Sequence, residues 1–318
     1  MIVVTGGAGF IGSNLVLELN KRGRGDVVVV DNLVDARKYR NLVGANIADY
    51  VDKEDFLSQV TGRAGWLDEV EAVFHQGACT STTETDGRYM LKNNYEYSKA
   101  VLDFCLERRA QFIYASSAAV YGAGTVFGEE PANEGPLNVY GFSKLLFDLH
   151  VRRLLSAAES QIVGLRYFNV YGPREAHKGP MASMVLQLDD QLETTGTARL
   201  FGPTEGYEAG EQCRDFIYVG DVVDVNLWFF DHPDQSGIFN CGTGVSRTFN
   251  DLACEVVRFR GQGEIEHIAF PESLQGRYQS YTQADMSTLR SAGYQAEPTP
   301  LEQGIPEYLA WRREQIDE

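Results

Sequence analysis

The 318-residue chain reads as an α/β protein: a doubly wound parallel sheet with a smaller α/β lobe built from insertions and from the C-terminal part. Three observations predict this. Short β-branched and apolar runs, "MIVVT", "DVVVVD", "VEAVFHQGA", "QFIYASSA" and "IVGLRYFNVYG", alternate with helix-like segments. Runs that are apolar on both faces suit a parallel sheet covered by helices. A glycine-rich turn, "TGGAGFIG", follows the first run directly and opens a helix.

Taken in order, the periodic reading holds to about Pro173 and then weakens. A polar-flanked helix, "MASMVLQLDDQLETT", and a Gly-rich surface stretch, "FGPTEGYEAGEQ", come next, and a strand and helix return in "RDFIYVGDVVDVNLWFF". Residues 1–172 with about 213–240 are therefore expected to form one domain, and about 173–212 with 241–318 mainly the second lobe. The apolar "VNLWFF" reads as core rather than as a docking face.

The formal charge of −17, without a basic run, argues against a nucleic-acid partner. Five cysteines without CxxC spacing indicate neither a disulfide framework nor a zinc site. Free thiols, a first strand at Ile2 and no membrane-length apolar run lead to the expectation of a cytoplasmic protein with no membrane partner.

Gly6, Gly9 and Gly12 recur at three-residue intervals. Glycine is required where the chain turns tightly, where backbone approaches a pyrophosphate and where helix packs on strand, while the helix N-terminus attracts the anion. Asp31 ends the second strand, where a carboxylate accepts from a ribose hydroxyl. Together they predict a dinucleotide site of Rossmann type. Asp31 alone favours NAD, because it repels a 2′-phosphate. Arg37, Lys38 and Arg40 just beyond it, and Lys53, are either a solvated face or the cations of an NADP site.

"YASSAAVYG" ends a strand with Ser116 and Ser117, and "NVYGFSK" sets Tyr140 four residues before Lys144 at a helix start. Residues four apart share a helix face, so the ammonium is expected near the phenol, lowering its pKa. The phenol then serves as a base for an alcohol that gives up hydride, and a serine orients the substrate oxygen.

These motifs resemble the extended short-chain dehydrogenase/reductase family over nearly the whole chain, and "RYFNVYGPRE", "RDFIYVGDV" and "FNCGTG" are typical of its nucleotide-sugar enzymes. "GACTSTTETDGRYM", "NNYEYSK", "NVYGPREAHKGPMAS" and "GRYQSYTQAD" resemble most closely its members that act on an ADP-heptose. The resemblance implies inversion at the exocyclic C6″ through a ketone, with Tyr140 and Lys178 as the two acid–base groups. It implies one NADP per subunit, tightly held, among Gly6, Gly9, Phe10, Ile11, Gly12, Asp31, Asn32, Lys38, Lys53, His75, Gln76, Gly77, Ala78, Cys79, Asn94, Lys144, Val170 and Lys178. His75 is expected to line the cofactor rather than to act as a base. Substrate contacts fall on Asn169, Pro180, Gln187, Phe201, Gly202, Pro203, Thr204, Arg214, Arg277 and Tyr278, and a homo-oligomer larger than a dimer is implied.

The chain departs from the pattern at Pro180, where serine is usual, at Gln187, where histidine is usual, and in a longer loop before Arg214. A UDP-hexose 4-epimerase is the nearest rival, but it leaves Lys178 without a duty. A 4,6-dehydratase would carry an acidic pair where Ala118 and Ala119 stand. A non-catalytic NADP sensor or scaffold would tend to lose Tyr140 or Lys144, and both are present.

Overall fold

The valine runs become fully buried strands because helices cover both faces of their sheet. The computed structural model describes residues 1–204, 206–272 and 278–316. From β1 (Ile2–Thr5) the chain runs through α1 (Phe10–Lys21), β2 (Val27–Asp31), β3 (Asp49–Asp52), α2 (Lys53–Gly62), β4 (Ala72–His75), α3 (Gly87–Leu91), α4 (Tyr97–Arg108), β5 (Gln111–Ser117), α5 (Val139–Leu154) and β6 (Ile162–Tyr167). It continues through β7 (Asn169–Tyr171), α6 (Met184–Thr195), β8 (Thr197–Phe201), β9 (Cys213–Tyr218), α7 (Val219–Asp231), β10 (Gly237–Cys241), β11 (Ser246–Thr248), α8 (Phe249–Arg260), β12 (Glu264–Ile268), α9 (Ser287–Ala292) and α10 (Leu301–Ile316).

Seven strands form one sheet in the order β10-β6-β5-β4-β1-β2-β3, and each neighbouring pair is parallel. Ile2, Val4, Val27 and Val29 face α1 and α7, whereas Val3, Val28, Val30 and Val73 face the side of α2, α4 and α5. The order reverses between β1 and β4, and such a switch point opens a crevice at the carboxyl ends of the strands. α1 buries Phe10, Leu15, Val16 and Leu19. At about 1.5–3 kcal/mol per buried side chain of this kind, packing outweighs the missing N-cap, worth about 1 kcal/mol.

The second lobe holds a three-stranded sheet, β11-β9-β7, and the parallel pair β12-β8. Its core joins Val185 and Leu188 of α6, Phe216 of β9, Phe249 and Leu252 of α8, and Leu301 and Ile305 of α10. The stretch 213–240 straddles both lobes: β9 pairs with β7 and β11, while α7 packs on α1. Among the described residues no helix is long and apolar enough to cross a membrane.

Candidate active site

At the switch point the two turns press together so closely that only glycine fits. Gly6 has φ +67°, and a Cβ there would lie 2.7 Å from the Gly77 nitrogen. At Gly12 a Cβ would lie 2.2 Å from the Gly6 oxygen, so this glycine lets α1 rest on the turn. No side chain caps the start of α1 at Gly9, which leaves its first turn available to an anion. The Asp31 carboxylate accepts from the Ala8 nitrogen at 2.9 Å, from the Asn32 nitrogen at 2.7 Å and from Lys38 Nζ at 2.5 Å. Arg37 is engaged by Asp35, and Lys53 donates to Asn93 at 2.7 Å. This cradle of glycine turn, uncapped helix and strand-end carboxylate fits a dinucleotide.

The loop after β4 is braced from beneath. His75 Nδ1 bonds Thr5 Oγ1 at 2.7 Å, and Nε2 bonds Ser98 Oγ at 2.8 Å. Burial, and to a lesser extent Lys144, pushes the His75 imidazole down to about 3, so it stays neutral. It is a buried support for the glycine turn, because the same Thr5 hydroxyl accepts from the Gly77 nitrogen at 3.2 Å. Asn94 lies in a π-helical turn, Lys92–Glu96, and its amide clasps both the nitrogen and the oxygen of Cys79 at 2.8 and 2.9 Å. It also donates to Ser143 of α5 at 3.0 Å. The wide turn thus fixes the loop Gln76–Cys79 to the helix that carries the tyrosine.

Ser116 and Ser117 end β5 but face different partners. Ser116 donates to the fully buried Asp148 at 3.0 Å, together with Tyr114 at 2.8 Å and Arg166 at 3.0 Å. Ser117 accepts from the Ala119 nitrogen at 3.1 Å and lies near enough to the Tyr140 phenol to favour its ionised form. Asn138 caps α5 through the Gly141 nitrogen, starting the helix that lays Tyr140 and Lys144 along one cleft. The expected depression of the phenol by Lys144 is not what the protein imposes. Burial raises Tyr140 above the ordinary tyrosine value, only partly offset by Ser117. The Lys144 ammonium donates to the Ala115 oxygen at 2.7 Å, and burial lowers it to about 8.

Lys178 lines the same cleft from a different segment, the 3-10 turn Ala176–Met181. Its ammonium lies 5.1 Å from the centroid of the Phe10 ring. Burial lowers its pKa, and nearby Glu175 opposes the shift. Glu175 is fully buried and holds the loop from within, accepting from the nitrogen and hydroxyl of Ser183 at 2.5 and 2.6 Å.

The cleft, about 680 Å³, continues past Asn169, Val170, Pro180 and Gln187 to Phe201, Arg214 and Tyr278. Arg214 is 5 % exposed and has no carboxylate partner among the described residues. Its guanidinium lies 4.7 Å from the Tyr278 ring and 5.7 Å from the Phe249 ring. A buried cation of this kind is suited to receive an anion. Of the predicted stretch 201–204 only Phe201 lines the cleft, Gly202, Pro203 and Thr204 are not among its lining residues, and Arg277 lies outside the described residues.

With this geometry, the sequence of residues 2–242 matches the family described as the NAD dependent epimerase/dehydratase family. The chain belongs to that family. A curated relative, the ADP-L-glycero-D-manno-heptose-6-epimerase of Alkalilimnicola ehrlichii, is 59 % identical over 309 residues, 97 % of this chain and 96 % of the relative. The crystal structure of ADP-L-glycero-D-manno-heptose-6-epimerase from Helicobacter pylori is 34 % identical, with a TM-score of 0.83 over 98 % of this chain and 96 % of that one. A UDP-glucose 4-epimerase from Thermotoga maritima, solved with UDP-glucose, is 29 % identical, with a TM-score of 0.82 over 99 % of each chain.

For a member of the epimerase/dehydratase family, the cleft has walls that the motifs did not announce. Thr80 and Thr82 line it near the cofactor loop, and Met181, Met184, Gln191 and Arg199 line the second lobe. The threonines stand in "CTSTTET", a polar cluster visible in the sequence. Met181 stands in the stretch "NVYGPREAHKGPMAS", whereas Met184, Gln191 and Arg199 have no local signal, because which face of α6 and β8 meets the cleft is decided by the packing of the two lobes.

Proposed function

We propose that this enzyme interconverts the two C6″ epimers of ADP-glycero-D-manno-heptose, turning the D-glycero form into the L-glycero form, with NADP as its resident cofactor. The observation that carries the reading is the pair Tyr140 and Lys178, two proton-handling groups from separate segments that line one cleft. The name of the 59 % identical relative points the same way. NADP is favoured because Lys38 pairs with Asp31 at 2.5 Å and so offsets the charge that would repel a 2′-phosphate.

A bound nicotinamide dinucleotide supplies a reversible hydride acceptor. The protein's own part is to hold substrate and move protons. Arg214 takes the diphosphate, flanked by Tyr278 and Phe201. Tyr140, oriented by Ser117, exchanges a proton with the C6″ oxygen of one epimer. C6″ is exocyclic, so rotation about C5″–C6″ presents the other face of the ketone and carries the oxygen away from Tyr140. Lys178 serves it in the new position, and burial adjusts the amine for this by disfavouring its charged form. Lys144 aligns with the ribose side of the site. A single-base 4-epimerase of a UDP-hexose leaves Lys178 unused.

The test is incubation of the purified protein with ADP-D-glycero-D-manno-heptose without added cofactor, following the C6″ configuration by proton NMR. Approach to a mixture of epimers is expected. An unchanged spectrum, persisting after NADP and then NAD are added, refutes the substrate, and conversion of UDP-hexoses instead would establish the rival.

A further inference from the structure

The 3-10 turn Ala36–Leu42, which follows β2 and carries Lys38, also carries Asn41. Asn41 is 8 % exposed. Its amide nitrogen lies 3.0 Å from the Ala8 oxygen of the glycine turn, 3.2 Å from the Arg174 oxygen and 3.2 Å from His177 Nδ1. The amide has two hydrogens, so the two backbone carbonyls are satisfied and the imidazole shares one of them. The opposite orientation would set the amide oxygen against two carbonyl oxygens, which fixes the assignment. From the same turn, Arg37 donates to the His177 oxygen at 3.3 Å.

The segment that receives these bonds carries backbone strain. Arg174 has φ +72°, a conformation that a non-glycine residue keeps only where its surroundings over-determine it. Asn41 holds the loop at positions 174 and 177, the second being one residue before Lys178. It holds the glycine turn at position 8, two residues before Phe10, over whose ring the Lys178 ammonium lies.

We propose that Asn41 is a positioning residue for Lys178, setting the proton-handling lysine relative to the glycine turn and hence to a bound dinucleotide. This rests on the assignment of Lys178 as the second acid–base group. None of the three contacts reaches the elements that carry Tyr140, so losing Asn41 displaces one proton relay and spares the other. Misplacement of a reacting group by about 1 Å can cost on the order of a hundredfold in rate.

The experiment compares wild type, Asn41→Ala, Asn41→Ser and Lys178→Met, each loaded with NADP, in single-turnover reduction of the cofactor by each purified epimer. In Asn41→Ala, oxidation of one epimer is expected to fall at least about tenfold, or ~1.4 kcal/mol, with the other within about twofold. The affected epimer is the one that Lys178→Met also slows, and cofactor content stays at the wild-type level. Equal slowing of both epimers, no slowing, or loss of NADP by Asn41→Ala overturns the proposal, while a selective Lys178→Met effect would keep the lysine in its role. If Lys178→Met slows both epimers alike, the lysine assignment fails and the positioning role with it. Asn41→Ser, which keeps a short donor, is read by the same criterion should the alanine variant not fold.

Discussion

Asp148→Asn changes one atom in a buried charge network and is expected to unsettle the chemical centre. The Asp148 carboxylate is fully buried and accepts from Tyr114, Ser116 and Arg166. Arg166, also fully buried, keeps a second partner in Glu134, which Arg152 shares. Removing one partner of a buried pair costs about 3–5 kcal/mol, and the surviving Glu134 contact places this case near 3. Unfolding entropy of about 2.1 cal/mol/K per residue gives roughly 0.67 kcal/mol/K over 318 residues, so the melting temperature should fall by about 4–5 °C. Tyr114→Phe removes a single hydrogen bond, worth about 1 kcal/mol, and should lower it by only about 1–2 °C. Calorimetry of the three proteins in one buffer measures both. An Asp148→Asn melting temperature within about 1 °C of wild type would refute the argument that the network is charged and uncompensated without it.

Ser117→Ala should lower kcat more than Ser116→Ala, because Ser117 favours the ionised phenol of Tyr140 whereas Ser116 is committed to Asp148; steady-state kinetics with the ADP-heptose decides this. Arg214→Met removes charge-assisted bonds to the diphosphate, each about 1.5–3 kcal/mol, and should raise the substrate Kd roughly 10- to 150-fold in titration calorimetry. Burial holds Lys144 at about 8 in the folded chain, below its ordinary 10.5. Between those values the unfolded chain keeps a proton that the folded chain has lost, so this group makes stability rise with pH from about 8 to 10.5 and exerts its full penalty below 8. Lys144→Met should flatten that rise in chemical denaturation curves taken across the interval.

The sheet was legible because its strands are apolar on both faces, a pattern that survives translation from sequence to burial residue by residue. Partner choice was not. "RDFIYV" reads as another strand of the main sheet, yet β9 pairs with β7 and β11, since a local pattern reports which faces are buried and not which neighbour buries them. At the site, spacing named Tyr140 and Lys144 and the family resemblance named Lys178 and Arg214, and the structure brings all four to one cleft. Asn41, Asp148, Arg166 and Glu175 were not. Each acts through partners on other segments, and a polar residue destined for burial looks in sequence like one bound for solvent. The Tyr140–Lys144 spacing was read correctly as a shared face but not as a charge effect, because desolvation depends on everything that covers the phenol.

The backbone passes between the lobes several times: at Phe168 from β6 to β7, at Tyr218 from β9 to α7, from β10 to β11, and from α9 to α10. Lobes joined by several crossings of backbone are tied to one another at several points along the cleft rather than by one linker. On the proposed reaction the heptose tail turns within that cleft. The volume it sweeps has to be large enough for both rotamers of the ketone. Selection against other sugars on that reading falls to the shape of the cleft, whose lining includes Thr80, Thr82 and Met181.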